Sequence, residues 1–274
     1  MRDEAEHKCD SAAVDVGARR CRDAEGVTGV DEVDEHVRAS LIKTHGNLYR
    51  GAQLTRYPIP PFPLPSGNGR TLLDLGCNWG RWTIAAARAG YRATGIDRGK
   101  KSIRAAKRVA EQLGVGAEYV LGDVRELPFP DASFDAVFSY SVLQHLAKED
   151  VRTVVGEIRR VLRRGGLVWI EMPNARGPLN LVRQARRGFS AGTGQDVRYW
   201  TIAELRATFG AIGAVSIVAD GFFTINPQVA DLDLLPVRSR AIVRVSDSLR
   251  RASRRAPFLV HVADSVVVRV KAPG

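Results

Sequence analysis

Three acidic residues lie at or next to the ends of predicted strands, and the first of them lies beside a glycine turn. Asp74 and Gly76 lie in LLDLGCNWGRW (72–82), Asp97 ends RATGID (92–97), and Asp123 follows a short apolar run. Carboxylates accept hydrogen bonds from hydroxyl and amino groups, and glycine lets the backbone pass close to a ligand. A carboxylate at position 74 disfavours a pyrophosphate and favours an amino group. The set therefore predicts a cofactor that carries amino and hydroxyl groups.

The second and third acids suit the two halves of a nucleoside. Asp97 lies about 20 residues beyond the glycine turn, where a carboxylate can accept from both hydroxyls of a ribose. Asp123 can accept from the exocyclic amine of an adenine, and the adjacent Val124 offers an apolar surface to the ring. We therefore expect a nucleoside site across these two strand ends.

The glycine turn departs from the dinucleotide pattern G-x-G-x-x-G, because position 78 is Asn and position 81 is Arg. Asparagine is one of the few residues besides glycine that tolerates a positive φ. Asn78 is therefore compatible with a tight turn, and the loop remains a candidate cofactor loop.

The elements that position these residues alternate between strand and helix. Apolar runs predict seven strands, over 71–75, 92–97, 118–121, 134–139, 165–172, 215–219 and 265–270. Helical spacing and capping residues predict helices over 31–47, 80–90, 101–114, 150–164 and 201–213. This order predicts an α/β fold with a Rossmann-like, mostly parallel seven-stranded sheet and helices on both faces. Ligands of such sheets bind at the carboxyl ends of the strands.

The chain divides into three parts by composition. Residues 1–30 are acidic and without periodicity, which predicts a disordered or loosely attached tail. Residues 31–70 predict a helix that stops at Gly46, followed by a proline-rich segment suited to a lid that includes Tyr49 and Tyr57. Residues 71–274 form the predicted α/β domain.

Charge and composition narrow the class of protein. Residues 1–35 hold eleven acidic and five basic residues, a net charge of −6. Because the overall charge is +11, the rest of the chain carries +17, and it includes the run RRASRRAP (250–257). This charge fits solvated helix faces, or attraction to an anionic substrate, nucleic acid or membrane surface. No apolar run approaches the roughly 18 residues of a membrane helix. Three cysteines without metal-type spacing predict neither a metal site nor a disulfide framework, and favour the cytoplasm.

A fourth landmark, DASFDAVFSYSVLQHL (131–146), is a strand that presents Tyr140 and His145 at the same edge. With the three acids, in this order and spacing, it resembles the class I S-adenosylmethionine-dependent methyltransferases, in particular the small-molecule group with the motif DLGCGxG. The resemblance covers about 71–172. It implies S-adenosylmethionine as the cofactor, bound by Asp74, Gly76, Cys77, Asn78, Gly80, Asp97, Asp123, Val124 and Tyr140.

The resemblance also implies methyl transfer to a small molecule or saccharide, anionic in view of the charge, with oxygen as the expected site. His145 is the candidate general base, because an imidazole titrates near neutral pH. Asn174, Tyr199 and Trp200 are candidates to line the acceptor side. An RNA methyltransferase and a non-catalytic S-adenosylmethionine-binding partner of another enzyme remain alternatives, and the sequence does not define the oligomeric state.

Overall fold

The computed structural model describes residues 32–45, 54–223 and 228–274. The predicted acidic tail, Gly46 and Tyr49 lie outside these residues. The strands are β1 Thr71–Leu75, β2 Arg92–Asp97, β3 Glu118–Leu121, β4 Phe134–Ser139, β5 Leu162–Pro173, β6 Ala214–Gly221 and β7 Ser265–Lys271. The helices are α1 Glu32–His45, α2 Arg81–Arg88, α3 Lys100–Gln112, α4 Lys148–Val161, α5 Pro178–Arg186, α6 Ile202–Phe209 and α7 Val237–Ala252.

The strands form one sheet in the order β3-β2-β1-β4-β5-β7-β6. The pairs β1–β2, β1–β4, β2–β3 and β4–β5 are parallel, and β7 is antiparallel to both β5 and β6. The predicted mostly parallel, seven-stranded Rossmann-like sheet is confirmed. Because the parallel strands share one direction, β1 to β5 all end at the same edge.

Side chains alternate between the two faces of the sheet and are covered by helices on both. Leu73 and Leu75 pack into a core with α4 and α6, whereas Leu72 points to the opposite side, where it packs with α2. We call these the α4 face and the α2 face. On the α2 face, α1 packs on α3, and α7 packs beside β6. The strands are therefore apolar on both sides, as expected of a covered parallel sheet.

The end of α4 differs from the sequence prediction, and helices α5 and α7 were not predicted. The helix expected over 150–164 ends at Val161, because Leu162 is extended (φ −81°, ψ 133°) and pairs with Phe134 of β4. Helix α7 was not predicted, since the residues that it buries include Ser239 and Ser246 and do not form an apolar stripe. The capping box of Thr201 and Glu204 at the start of α6 is present as predicted.

In the described part of the chain, no helix combines the length and the apolar character needed to cross a bilayer.

Candidate functional site

A cavity of about 540 Å³ opens at the edge where β1, β2, β3 and β4 end, and we call it the strand-end cavity. This volume lies in the range of small-molecule sites. Helix α1 contributes to one side of it. Residues that line it include Ser40, Lys43, Gly76, Asn78, Asp97, Gly99, Asp123, Val124, Ser141, His145 and Gln195. The structure thus brings most of the predicted site residues together, and it adds Ser40, Lys43 and Gln195, for which the sequence carried no signal.

Asp97 fastens the glycine loop to the end of β2. Its Oδ2 accepts from the backbone N–H of Asn78 at 3.0 Å, and its Oδ1 accepts from that of Gly99 at 2.7 Å. The residue is half-buried and lines the cavity. A carboxylate has about four lone-pair sites, so each oxygen keeps capacity for a ligand hydroxyl. This arrangement fits the ribose role expected from the sequence.

The loop after β1 owes its path to three residues with positive φ. Gly76 has φ 73°, Asn78 has φ 48° and Gly80 has φ 84°. A Cβ at Gly76 would lie 2.5 Å from Cγ1 of Val142, and one at Gly80 would lie 2.7 Å from the hydroxyl of Tyr119. The expectation that Asn78 adopts a positive φ is confirmed.

The side chain of Asn78 makes a connection that glycine could not. Its Nδ2 donates to the Ser40 hydroxyl at 2.6 Å, and its Oδ1 lies 3.3 Å from Nε2 of His36. Both partners belong to α1, and Lys43 of the same helix donates to Oε1 of Gln195 at 3.0 Å. Helix α1 is therefore attached to the cofactor loop on one side of the cavity and to the segment before Tyr199 on the other.

Asp74 lies beneath the loop and not in the strand-end cavity. Its side chain is buried, and Oδ2 accepts from the Thr83 hydroxyl at 2.7 Å. Burial, together with the charge of Asp97, raises the pKa of Asp74 to about 7. Cys77, also buried, has a thiol whose pKa is raised by burial. Asp74 therefore supports the loop through Thr83, and a direct contact with a cofactor amino group stays a prediction.

The raised pKa of Asp74 predicts a pH-dependent stability. Between the ordinary pKa of 3.8 and about 7, the folded protein retains a proton that the unfolded chain releases. The stabilisation is therefore complete below pH 3.8 and is lost as the pH rises through about 7. The unfolding free energy should therefore decrease as the pH rises, and we expect this decrease to be smaller by a few kcal/mol in Asp74→Asn, since one pKa unit corresponds to about 1.4 kcal/mol. Urea titrations across this range measure it.

The matched control is the exposed Glu126→Gln, which should leave the pH profile unchanged. Glu171 is buried with a pKa raised to about 8, so part of the dependence should persist in both variants. A profile in Asp74→Asn identical to that of the wild type would show that Asp74 is ionised throughout.

Both carboxylate oxygens of Asp123 accept hydrogen bonds from Arg125. Nε and Nη2 of Arg125 donate to its two oxygens at 3.0 and 2.7 Å, and the backbone N–H of Arg125 donates at 2.9 Å. These hydrogen bonds lower the pKa of the carboxyl. A ligand amine would therefore share the carboxylate with Arg125. Val124 is buried and adds an apolar wall to the cavity.

His145 lies at the rim of the cavity on a short 3₁₀ helix, Leu143–His145. Its Nδ1 lies 2.8 Å from the carbonyl oxygen of Gln195. A carbonyl only accepts, so Nδ1–H donates in the neutral ring and Nε2 is the proton acceptor. Desolvation, with the charges of Lys43 and Arg198, lowers the pKa of His145. The ring is therefore held neutral at pH 7, with a basic nitrogen available.

Tyr140 points to the α2 face and away from the strand-end cavity. Its hydroxyl donates to Oδ2 of Asp220 at 2.9 Å and accepts from Nε2 of Gln228 at 2.7 Å. The ring lies stacked on Trp169, with centroids 5.9 Å apart. Tyr140 lines a small cavity of about 80 Å³ that also includes Gly76, Cys77, Asn78 and Ser141. A contact between Tyr140 and the cofactor stays a prediction, and the small cavity is where the two could meet.

Two of the expected acceptor residues are structural. Asn174 is fully buried, and its Nδ2 donates to the carbonyl of Ala263 at 2.9 Å. Trp200 is 1% exposed and belongs to the core of the α4 face. Tyr57, expected in a lid, donates its hydroxyl to Asp34 of α1 at 2.6 Å. Tyr57 precedes β1, and Asn174 and Trp200 follow β5. The alternation of side chains along these strands therefore did not predict where the three side chains point.

A family model described as a methyltransferase domain matches residues 73–170, which are β1 to β5 and the loops that line the strand-end cavity. This match assigns residues 73–170 to a methyltransferase domain. A ubiquinone biosynthesis O-methyltransferase of Methylobacterium sp. (strain 4-46) is 33% identical over 48% of this chain and 47% of the relative. A malonyl-[acyl-carrier protein] O-methyltransferase of Serratia marcescens is 30% identical over 50% of this chain and 53% of the relative.

A solved S-adenosylmethionine-dependent methyltransferase from Methanosarcina mazei shares the fold of this methyltransferase domain, with a TM-score of 0.55 at 18% identity over 78% of this chain and 99% of that one. The chain spans about half the length of the curated relatives named above. S-adenosylmethionine is the cofactor that the sequence resemblance implies for this domain. The residues fit it, because Asp97 lines the strand-end cavity at the position expected for a ribose and retains acceptor capacity there.

Proposed function

We propose that this protein transfers a methyl group from S-adenosylmethionine to an oxygen of a small-molecule acceptor, a class that includes saccharides, with His145 as the general base. The observation that carries the proposal is the convergence of Asp97, the β1 loop and His145 on one cavity. The two curated relatives named as O-methyltransferases support transfer to oxygen.

Each residue has a distinct part in holding the cofactor. Asp97 accepts from the ribose hydroxyls, Val124 covers the adenine, and Asp123 accepts from its amine beside Arg125. The backbone at Gly76 lets the methionine part lie close to the loop, above the support of Asp74. When bound, S-adenosylmethionine supplies an electrophilic methyl group. Positioning of both reactants in a closed site provides much of the acceleration in such a displacement.

His145 is the residue placed to receive the acceptor's proton. Its Nδ1–H is fixed by Gln195, so Nε2 takes the proton as the acceptor oxygen gains the methyl group. Asp220, which lines the neighbouring cavity on the α2 face, is less suited, because its Oδ2 already accepts from the Tyr140 hydroxyl. A neutral imidazole at pH 7 is the active form of such a base.

A transfer assay distinguishes the acceptor classes. The protein is incubated with methyl-labelled S-adenosylmethionine and, separately, a small-molecule extract or total RNA. We expect label in a small molecule and none in RNA, with loss in Asp97→Ala and retention in the surface control Lys107→Ala. Label in RNA would contradict the acceptor class. Cofactor binding without transfer to either fraction would instead favour a non-catalytic partner protein.

A further inference from the structure

A second cavity, of about 410 Å³, lies between the α2 face of the sheet and α7. We call it the aromatic cavity, because Phe62, Trp82, Tyr140 and Trp169 line it. The Tyr140 and Trp169 rings are stacked at an interplanar angle of 16°, and the Trp82 and Tyr140 centroids are 4.7 Å apart. The Trp82 ring is tilted by 37° to that of Tyr140. An aromatic lining of this kind favours an apolar ligand that itself carries a flat ring.

Arginines surround this aromatic surface. Arg250 and Arg251 both pair with Asp247, whereas Arg254 and Arg269 form no ion pair with any residue in the described ranges. All of them line the aromatic cavity. Desolvation and the neighbouring Arg254 charge lower the pKa of Arg269. Two like charges beside one opening repel each other, and an anion between them would relieve that repulsion.

The acids of the cavity do not cancel this charge. Asp247 is neutralised by its two arginines. Asp220 accepts from Tyr140, and burial raises the pKa of its carboxyl. The aromatic cavity therefore keeps an excess of positive charge at the guanidinium groups of Arg254 and Arg269.

The aromatic cavity adjoins the cofactor site through the small cavity. Trp82 and Tyr140 line both the aromatic and the small cavity. The small cavity in turn shares Gly76, Asn78 and Ser141 with the strand-end cavity. A ligand in the aromatic cavity thus has its inner end next to the loop that holds the methionine part of the cofactor.

We propose that the aromatic cavity holds the body of the acceptor, which is planar and apolar and carries a carboxylate or phosphate group held by Arg254 and Arg269, while its reacting oxygen extends through the small cavity toward the strand-end cavity and His145. The inference rests on the proposed function. It assigns a role to the arginine run at 250–255, which sequence composition alone left open between a solvated surface and a binding patch.

The test compares two probes of equal shape, naphthalene carboxylate and the neutral naphthalene carboxamide, by calorimetry with S-adenosylhomocysteine present. We expect the carboxylate to bind the wild type about tenfold more tightly, a difference of about 1.4 kcal/mol. The double variant Arg254→Gln/Arg269→Gln should bind the two probes equally. Arg244→Gln, on an exposed part of α7, should keep the wild-type preference.

A second variant tests the cavity itself. Val218 lines the cavity and is partly exposed, so Val218→Trp should fill the space and weaken both probes. Unchanged affinity for S-adenosylhomocysteine shows that each variant is folded. Equal binding of the two probes to the wild type, or no effect of Val218→Trp, would overturn the inference while cofactor binding persists. Failure of the wild type to bind S-adenosylhomocysteine would end the proposed function and the acceptor assignment with it.

Discussion

His145→Ala is expected to lower turnover by roughly 10²–10⁴-fold, the usual contribution of a general base, and to leave cofactor affinity nearly unchanged. The ribose and adenine positions are formed by Asp97, Asp123 and Val124, whereas His145 lies at the rim, on the 3₁₀ helix that follows β4. Initial rates at saturating cofactor and acceptor, with calorimetry for the cofactor, measure the two quantities separately.

The pH profile provides the decisive comparison for this base. Because the pKa of His145 is lowered, the wild-type rate should fall only below the ordinary titration range of histidine, and the variant should lose this limb. The matched control is His261→Ala, at an exposed histidine that is distant from His145 in the sequence. Equal turnover in His145→Ala and the wild type would reject the base role and leave the methyltransferase assignment standing.

Asp97→Ala is expected to weaken binding of S-adenosylhomocysteine by about 1–3 kcal/mol, the cost of unpaired buried polar groups. The substitution removes the expected ribose acceptor, and it also frees the backbone N–H groups of Asn78 and Gly99. The β1 loop should therefore loosen as the ribose contact is lost. Calorimetric titration of the variant measures the change.

Asp97→Asn is the graded comparison, since its amide oxygen retains part of the acceptor capacity and should lose less affinity. Asp131→Ala, at an exposed position, should bind like the wild type. Wild-type affinity in Asp97→Ala would exclude Asp97 as a cofactor ligand and place the ribose elsewhere in the strand-end cavity.

The positions of the strand-end acids could be predicted from the sequence, because the topology of a parallel sheet determines them. In a parallel sheet, residues that follow successive strands meet at one edge, so the positions of Asp97 and Asp123 followed from the strand order alone. The positive φ of Asn78 was also predictable, because few residue types tolerate that conformation. What the side chain of Asn78 contacts was not, since Ser40 and His36 lie about 40 residues away on α1.

The orientations of the Tyr140 and Asn174 side chains could not be predicted from the strand pattern. Each residue directly follows a strand, and a shift of one position along the chain moves a side chain from the edge of the sheet to one of its faces. Tyr140 points under the sheet toward Asp220, and Asn174 turns inward to bind the backbone at Ala263. Neither orientation is encoded in the apolar pattern of the preceding strand.

The aromatic cavity was beyond sequence prediction for a different reason. Its residues come from the proline-rich segment, β4, β5 and α7, which are distant in the chain. Helix α7 buries small polar side chains, so its apolar periodicity was too weak to predict it. Without α7, the arginines at 250–255 could not be placed over an aromatic surface.

The most direct test of the account is a calorimetric titration of the wild-type protein with S-adenosylhomocysteine. We expect saturable binding with one site per chain and a dissociation constant in the micromolar range, weakened by about 1–3 kcal/mol in Asp97→Ala. No heat of binding at millimolar ligand, from protein shown to be folded, would contradict the assignment of the strand-end cavity as an S-adenosylmethionine site.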